Sequence, residues 1–148
     1  MGSNNVSDAG DENRLYLRQF LSGRDLAVDN SVAEQMRNFI YAIGDRQTGE
    51  CLLVDPAYAV DELLAALAAD GMTVIGAAAS HYHFDHIGGS MFGFDVEGIV
   101  ALLDRVDCPI HVQAAETPWV TATTGLDATA LVEHQPNDTI TVGAIDVE

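Results

Sequence analysis

The 148-residue sequence has no lysine, only two cysteines and four prolines, and no apolar run of membrane-spanning length. Without lysine, Schiff-base chemistry and the phosphate-binding lysine of a P-loop are excluded. Cys51 and Cys108 lie far apart without CxxC spacing, which gives no support to a disulfide framework or a thiolate zinc site. Chemistry is therefore left to His, Asp, Glu, Ser or a bound metal.

Positive charge is also scarce, because six arginines oppose 23 acidic residues for a formal net charge of −17. Such a charge repels phosphate backbones and anionic membrane surfaces, so we expect a small-molecule substrate and neither nucleic acid nor membrane as partner. The first residues lack the basic-then-apolar order of a signal peptide, and Val6 stands where a myristoylation signal needs Ser or Thr. This favours a cytoplasmic location.

The length and the 48% hydrophobic content are typical of one globular domain. Residues 1–13 are polar and aperiodic, which predicts a disordered leader or residues added for expression. Strand patterns occupy residues 14–21, 38–44, 51–55, 72–79 and 109–113, with two more strands in 138–148. Helix patterns occupy residues 60–71, 96–103 and 114–120, and residues 22–37 are mostly loop. Interleaved strands and helices predict an α/β sandwich.

The residues suited to chemistry concentrate in the segment Ser-His-Tyr-His-Phe-Asp-His-Ile-Gly-Gly, residues 80–89. Alternate positions of an extended chain share one side, so His81 and His83 can converge on one ion. A turn at Asp85 and His86 offers a carboxylate and a third imidazole to a neighbouring ion. These ligand types suit zinc, iron and manganese alike.

A single histidine is usually a surface residue or a satisfied core residue. The cluster in residues 80–89 differs, because four adjacent ligand-type side chains would be costly to bury without partners. The segment is also not low-complexity, since it lies between a buried-strand pattern and the Gly88-Gly89 pair, which permits a sharp backbone bend. A metal site is therefore the favoured interpretation.

Residues 80–89, together with the earlier Leu-Leu-Val-Asp-Pro at residues 52–56, closely resemble the metallo-β-lactamase superfamily of metallohydrolases. The resemblance runs over residues 14–148 and implies an αββα sandwich of which this chain carries the N-terminal part. The site residues that it implies are His81 and His83 on one metal, Asp85 and His86 on a second metal, and Asp55 supporting the site from behind the ligands. Asp55 has an alternative role as a cap of the helix after Pro56.

The family's later ligands and its TPGHT-like turn do not occur in this sequence, and residues 138–148 resemble the strands just ahead of that turn. We therefore expect the natural domain to continue beyond Glu148. Two histidines elsewhere are rejected as replacement ligands. His111 falls in a strand pattern that the family uses for structure, and His134 lies among polar loop residues before Pro136.

The implied reaction is hydrolysis by two metal ions, most simply zinc, with a metal-activated water attacking an ester, thioester, lactam or related bond. Asp85 would also orient this water and is the candidate catalytic residue. An iron-dependent redox enzyme of the same superfamily and a noncatalytic metal-binding fragment remain as alternatives. With two ligands for each expected ion, the isolated chain is expected to be inactive and to associate through an exposed sheet edge.

Overall fold

The structure is a computed structural model that describes residues 13–148. The predicted leader, residues 1–13, lies outside the described residues except for Asn13. The strands are β1 (Leu15–Leu21), β2 (Phe39–Asp45), β3 (Glu50–Val54), β4 (Thr73–Ala78), β5 (Gly89–Met91), β6 (Phe94–Val96), β7 (Ile110–Gln113), β8 (Leu131–His134), β9 (Ile140–Val142) and β10 (Ile145–Val147). The helices are α1 (Ser31–Met36), α2 (Val60–Ala69), α3 (Phe84–Ile87), α4 (Ile99–Leu103) and α5 (Thr117–Thr124).

A six-stranded sheet in the order β1-β2-β3-β4-β7-β8 forms the centre of the molecule. The first three strands pair antiparallel, and β3, β4, β7 and β8 pair parallel. Parallel strands need crossover connections, which here contain α2, α3 and α4, the β5–β6 hairpin, and α5. The α/β class predicted from the interleaved patterns is confirmed.

Helices cover one face of this sheet because its side chains on that face are apolar. Leu53, Ala77 and Ile110 belong to one buried cluster with Leu63 of α2 and Leu102 of α4. Burial of such side chains contributes roughly 1.5–3 kcal/mol each, which makes this layer the main source of stability.

The β9–β10 hairpin lies against the opposite face, where Val142 is buried. Asp45 at the end of β2 anchors it, since this carboxylate accepts 2.9 Å hydrogen bonds from the Arg14 Nε and from the Ala144 backbone N–H. The Arg14 guanidinium holds the pKa of Asp45 well below its usual range. The predicted strands of residues 138–148 are thus present, as a hairpin on this face of the sheet.

Two local predictions are refined. The segment 22–37, predicted to be mostly loop, also contains α1, which starts where the Asn30 side chain accepts hydrogen bonds from the Val32 and Ala33 backbone N–H groups. The helix predicted over 96–103 begins only at Ile99, because Val96 pairs with Gly89 in the β5–β6 hairpin. In both places a short local contact determines where the helix begins.

His134 lies in a strand and not in a loop, which corrects the interpretation given above. Gln113 of β7 pairs with it in a parallel ladder, although only Leu131 of this strand is buried. The strand is short and polar, so its pattern is weak. No helix in the described part of the chain is long and apolar enough to span a bilayer.

Replacement of Leu63 by alanine should lower the free energy of unfolding by about 2–5 kcal/mol, because its side chain is fully buried between α2 and the sheet. The matched control is Leu64→Ala, one residue further along the same helix and only half-buried, for which we expect a clearly smaller loss. Urea unfolding followed by circular dichroism measures both. Equal losses would contradict this packing.

Candidate metal centre

The His-rich segment begins where two parallel strands end side by side. The Asp55 backbone N–H donates to the Ala78 carbonyl at 3.0 Å, which places the end of β3 beside the end of β4. The chain then turns through residues 80–83 and enters the single-turn helix α3. Side chains from both strand ends therefore meet at one edge of the sheet.

Two glycines allow the chain to leave this helix. Gly88 has φ +87° and Gly89 has φ +142°, a region that L side chains rarely adopt. A Cβ atom on Gly88 would lie 2.7 Å from the Gly98 Cα, and one on Gly89 would lie 2.7 Å from the Thr123 carbonyl oxygen. The sharp bend predicted for this pair is confirmed, and the lack of a side chain is necessary at both positions.

The Asp55, His81 and His86 side chains form a compact group of possible ligands. Each offers one ligand atom, and the three atoms lie within 4.8 Å of one another. This grouping differs from the predicted pairing of His81 with His83 and of Asp85 with His86. Within residues 13–148 the structure thus brings two predicted ligands together with the predicted supporting carboxylate.

Asp55 contacts both imidazoles of this group, one directly and one through a serine. Its carboxylate accepts hydrogen bonds from the Ser80 backbone N–H at 2.7 Å, from the Ser80 hydroxyl and from the His86 Nδ1 at 3.0 Å. The Ser80 hydroxyl oxygen lies 2.9 Å from the His81 Nδ1. Both imidazoles are therefore held by their Nδ1 atoms, which leaves both Nε2 atoms available for an ion.

The alternative role of Asp55 as a helix cap is wrong. The first backbone N–H of α2, that of Val60, instead donates to the Glu97 carboxylate at 2.7 Å. Asp55 itself adopts φ +54°, an uncommon backbone conformation for a residue with a side chain. This conformation accompanies the contacts of the carboxylate with Ser80 and His86.

His83 and Asp85 lie beside the compact group. The His83 ring centroid is 4.7 Å from that of His81, and its side chain is exposed. Asp85 is buried, and its Oδ2 lies 3.6 Å from the His86 Nε2. All four predicted ligands thus lie in one cluster, and the Asp85 oxygen and the free nitrogen of His86 are close enough for one ion to reach both.

Two residues that position Asp85, Asn38 and Tyr58, were not predicted from the sequence. The Asn38 amide donates to the Asp85 Oδ2 at 2.8 Å and to its carbonyl oxygen at 2.9 Å. The Tyr58 hydroxyl lies 3.4 Å from the same amide nitrogen, and burial together with the Asp85 charge raises the pKa of Tyr58. Neither residue belongs to a sequence motif. The fold brings them to Asp85 from the segments just before β2 and between β3 and α2.

His111 and His134 pair with each other and not with the cluster. The His111 Nδ1 lies 2.8 Å from the His134 Nε2, on the face of the sheet that also carries Leu52. Burial and the neighbouring imidazole lower the pKa of His111. A hydrogen-bonded pair of this kind accounts for both side chains without a metal role.

The Asp55 carboxylate raises the pKa of His86 through their hydrogen bond. In the metal-free chain, Asp55→Asn should therefore lower the pKa of His86 toward the ordinary value of about 6.5, as measured by NMR titration of its ring protons. A raised histidine pKa stabilises the fold below the unfolded value and loses that contribution as the pH rises through the folded pKa. His134 is the internal control, and an unchanged His86 titration would contradict the contact.

Comparison with protein families gives one family match. The model of the Metallo-beta-lactamase superfamily matches residues 36–144, which include the whole cluster. A hydroxyacylglutathione hydrolase from Rhodospirillum rubrum is 36% identical over 61 residues, or 41% of this chain and 23% of that protein. Another from a Synechococcus species is 40% identical over 53 residues, or 36% of this chain and 20% of that protein. The chain spans only a small part of the length of these curated relatives.

Solved structures share the fold. A metallo-beta-lactamase from Staphylococcus aureus superposes with a TM-score of 0.64 at 23% identity, over 90% of this chain and 33% of that chain. ETHE1 from Myxococcus xanthus gives a TM-score of 0.59 at 21% identity, over 88% of this chain and 45% of that chain. At these identities the agreement concerns architecture, which supports the predicted fold.

Proposed function

Since the chain belongs to the metallo-β-lactamase superfamily, we propose that its cluster binds the metal of a hydrolase. The observation that carries the proposal is the proximity of the four proposed ligands. The His81 ring centroid lies 4.7 Å from that of His83 and 4.2 Å from that of His86, and the Asp85 Oδ2 lies 3.6 Å from the His86 Nε2. Imidazoles and carboxylates are ligands that zinc prefers, so the residues present fit this metal. The two curated relatives are named hydroxyacylglutathione hydrolases, which supports hydrolysis as the reaction class.

The proposed ligands keep the two pairs predicted from the sequence. His81 and His83 would hold one ion, and Asp85 and His86 a second. Asp55 would stay a supporting group, because its hydrogen bond to the His86 Nδ1 directs the Nε2 of that ring toward Asp85. A carboxylate behind a histidine ligand fixes the tautomer and orientation of the ring.

When bound, zinc supplies Lewis acidity and lowers the pKa of its water toward about 7. The residues of this chain orient the reactants. Asn38 holds the Asp85 carboxylate by a 2.8 Å hydrogen bond, so Asp85 is fixed where it can accept a hydrogen bond from the attacking water. Burial of Asp85 excludes bulk solvent from this carboxylate and strengthens its electrostatic interactions.

The proposed substrate is a small molecule with an ester, thioester, lactam or related bond. A thioester is favoured, because the two curated relatives are named hydroxyacylglutathione hydrolases. The net charge of −17 disfavours nucleic acid as a substrate. Iron suits the same ligand types, so an iron-dependent redox reaction is the competing proposal, and metal analysis of the native protein separates the two.

In the zinc-loaded protein that carries this chain, His83→Ala should reduce thioester hydrolysis at least about 100-fold, since even groups behind metal ligands contribute 10–100-fold. The fold should be retained, because His83 is exposed and outside the core. His134→Gln is the matched control outside the cluster and should keep wild-type turnover. Full activity of His83→Ala after chelation and zinc repletion would overturn the proposed mechanism.

The 148-residue chain by itself should bind at most one zinc ion weakly and show no appreciable hydrolysis. The reason is the number of ligands, since each proposed pair is one short of the three protein ligands usual at a catalytic zinc. Elemental analysis after extensive dialysis, beside thioester and β-lactam assays, tests this. Two tightly held ions with steady turnover would show that further ligands come from this chain or from a partner.

A further inference from the structure

A cavity of about 260 Å³ opens beside the candidate metal centre. It is lined by Tyr82, His83, Phe84, Asp85, Met91 and Thr123. Two of these residues are proposed ligands, and three others present apolar surface. A molecule that reacts at the cluster therefore has its neighbouring atoms against a largely apolar wall.

One side of the cavity is fixed by aromatic stacking. The Tyr82 ring lies over the Trp119 ring, with centroids 5.6 Å apart and planes inclined by 31°. Trp119 lies near the N-terminus of α5, and its side chain is more than half exposed. Because this contact holds Tyr82, the wall is preformed and does not need to be ordered by a ligand.

The β5–β6 hairpin contributes to the cavity through Met91. Met91 and Phe94 stand directly opposite each other in its antiparallel ladder, so both side chains point to the same side. Both are exposed, Phe94 at 51% of its surface. Since Met91 lines the cavity, Phe94 extends the same apolar wall outward.

The turn of this hairpin contains a residue that folding does not favour. Phe92 has φ +54° and is followed by Gly93 at φ +78°, the backbone of a two-residue turn that prefers Asn, Asp or Gly. Phe92 is nevertheless 87% exposed, so its ring gains no burial in exchange for this conformation. Its ring is thus left available for contact with a molecule bound at this hairpin, whose Met91 lines the cavity.

Charge selects what the cavity can bind. Within residues 13–148 its lining includes no arginine, and the sequence has no lysine. Asp85 and His83 in the lining are proposed metal ligands, so the lining has no further cationic side chain to pair with an anionic group. The suitable ligand group is therefore apolar and uncharged.

We propose that this cavity binds an uncharged, apolar acyl group of the substrate, with Met91 inside and Phe92 and Phe94 covering the group from the hairpin. The inference rests on the proposed hydrolase function and narrows its substrate to esters or thioesters with an alkyl or aryl acyl group. The anionic tripeptide part of a glutathione thioester would have to lie elsewhere.

Binding of octanamide and acetamide to the 148-residue chain tests the cavity without any turnover. Trp119 is the single tryptophan of the sequence and stacks on the cavity wall, so its fluorescence reports occupancy. We expect a saturable fluorescence change with octanamide and none with acetamide at the same concentrations. The double variant Phe92→Asn/Phe94→Thr should bind octanamide about 5–10-fold more weakly, since it removes apolar contact area.

The variant is chosen to preserve the fold, because Asn suits the backbone of residue 92 and Thr suits a strand. Leu17→Thr is the matched control, because Leu17 is an apolar residue of β1 that is 59% exposed. This variant should keep wild-type affinity. Octanamide that binds no better than acetamide, or that binds the double variant as well as the wild type, would overturn the inference.

A kinetic arm on the zinc-loaded protein separates this inference from the function on which it rests. We expect the ratio of kcat/KM for octanoyl over acetyl thioester to fall in the double variant and to stay at the wild-type value in Leu17→Thr. If the wild type hydrolyses both thioesters without preferring octanoyl over acetyl, the proposed acyl site is overturned and the proposed hydrolase function is supported. A different outcome is that octanamide binds the wild type and not the double variant, while neither thioester is hydrolysed. That result would support the apolar site and overturn the proposed hydrolase function.

Discussion

The candidate site depends on the hydrogen bonds that the Asp55 carboxylate accepts. This carboxylate lies where β3 ends beside β4, and its two oxygens accept hydrogen bonds from the Ser80 backbone and hydroxyl and from the His86 Nδ1. Through Ser80 it also orients His81. One buried carboxylate thus sets the directions of two imidazoles, one from the loop after β4 and one from α3. Charge-assisted hydrogen bonds of this kind are among the stronger ones in proteins.

The sheet supplies the position of this carboxylate, and the connections supply the rest of the site. Parallel pairing of β3 with β4 brings Asp55 to the start of the His-rich loop. Asn38, just ahead of β2, then reaches Asp85 from the neighbouring strand. Because the antiparallel and parallel parts of the sheet meet at β3, residues from both contribute to one cluster. The apolar cavity follows from the same arrangement, since α3 leads directly into the β5–β6 hairpin.

The sequence alone predicted much of this because some signals are local. A histidine-rich segment after an uncharged strand and before two glycines needs no tertiary information, and neither does the apolar period of α2. Asn38 and Tyr58 could not be found in this way, because their roles arise from contacts between elements distant in sequence. The strand β8 was missed for a similar reason, since its polar residues are held by β7 rather than by an apolar face.

In the proposed centre the imidazole Nε2 atoms bind the metal while Asp55 holds the rings from behind. A zinc anomalous difference map from metal-soaked crystals would locate the ion. We expect it about 2.0–2.1 Å from the Nε2 of His81 or His86, with the hydrogen bond from the His86 Nδ1 to Asp55 kept. A map with no peak at the cluster, or with ions only at the His111–His134 pair, would contradict this proposal.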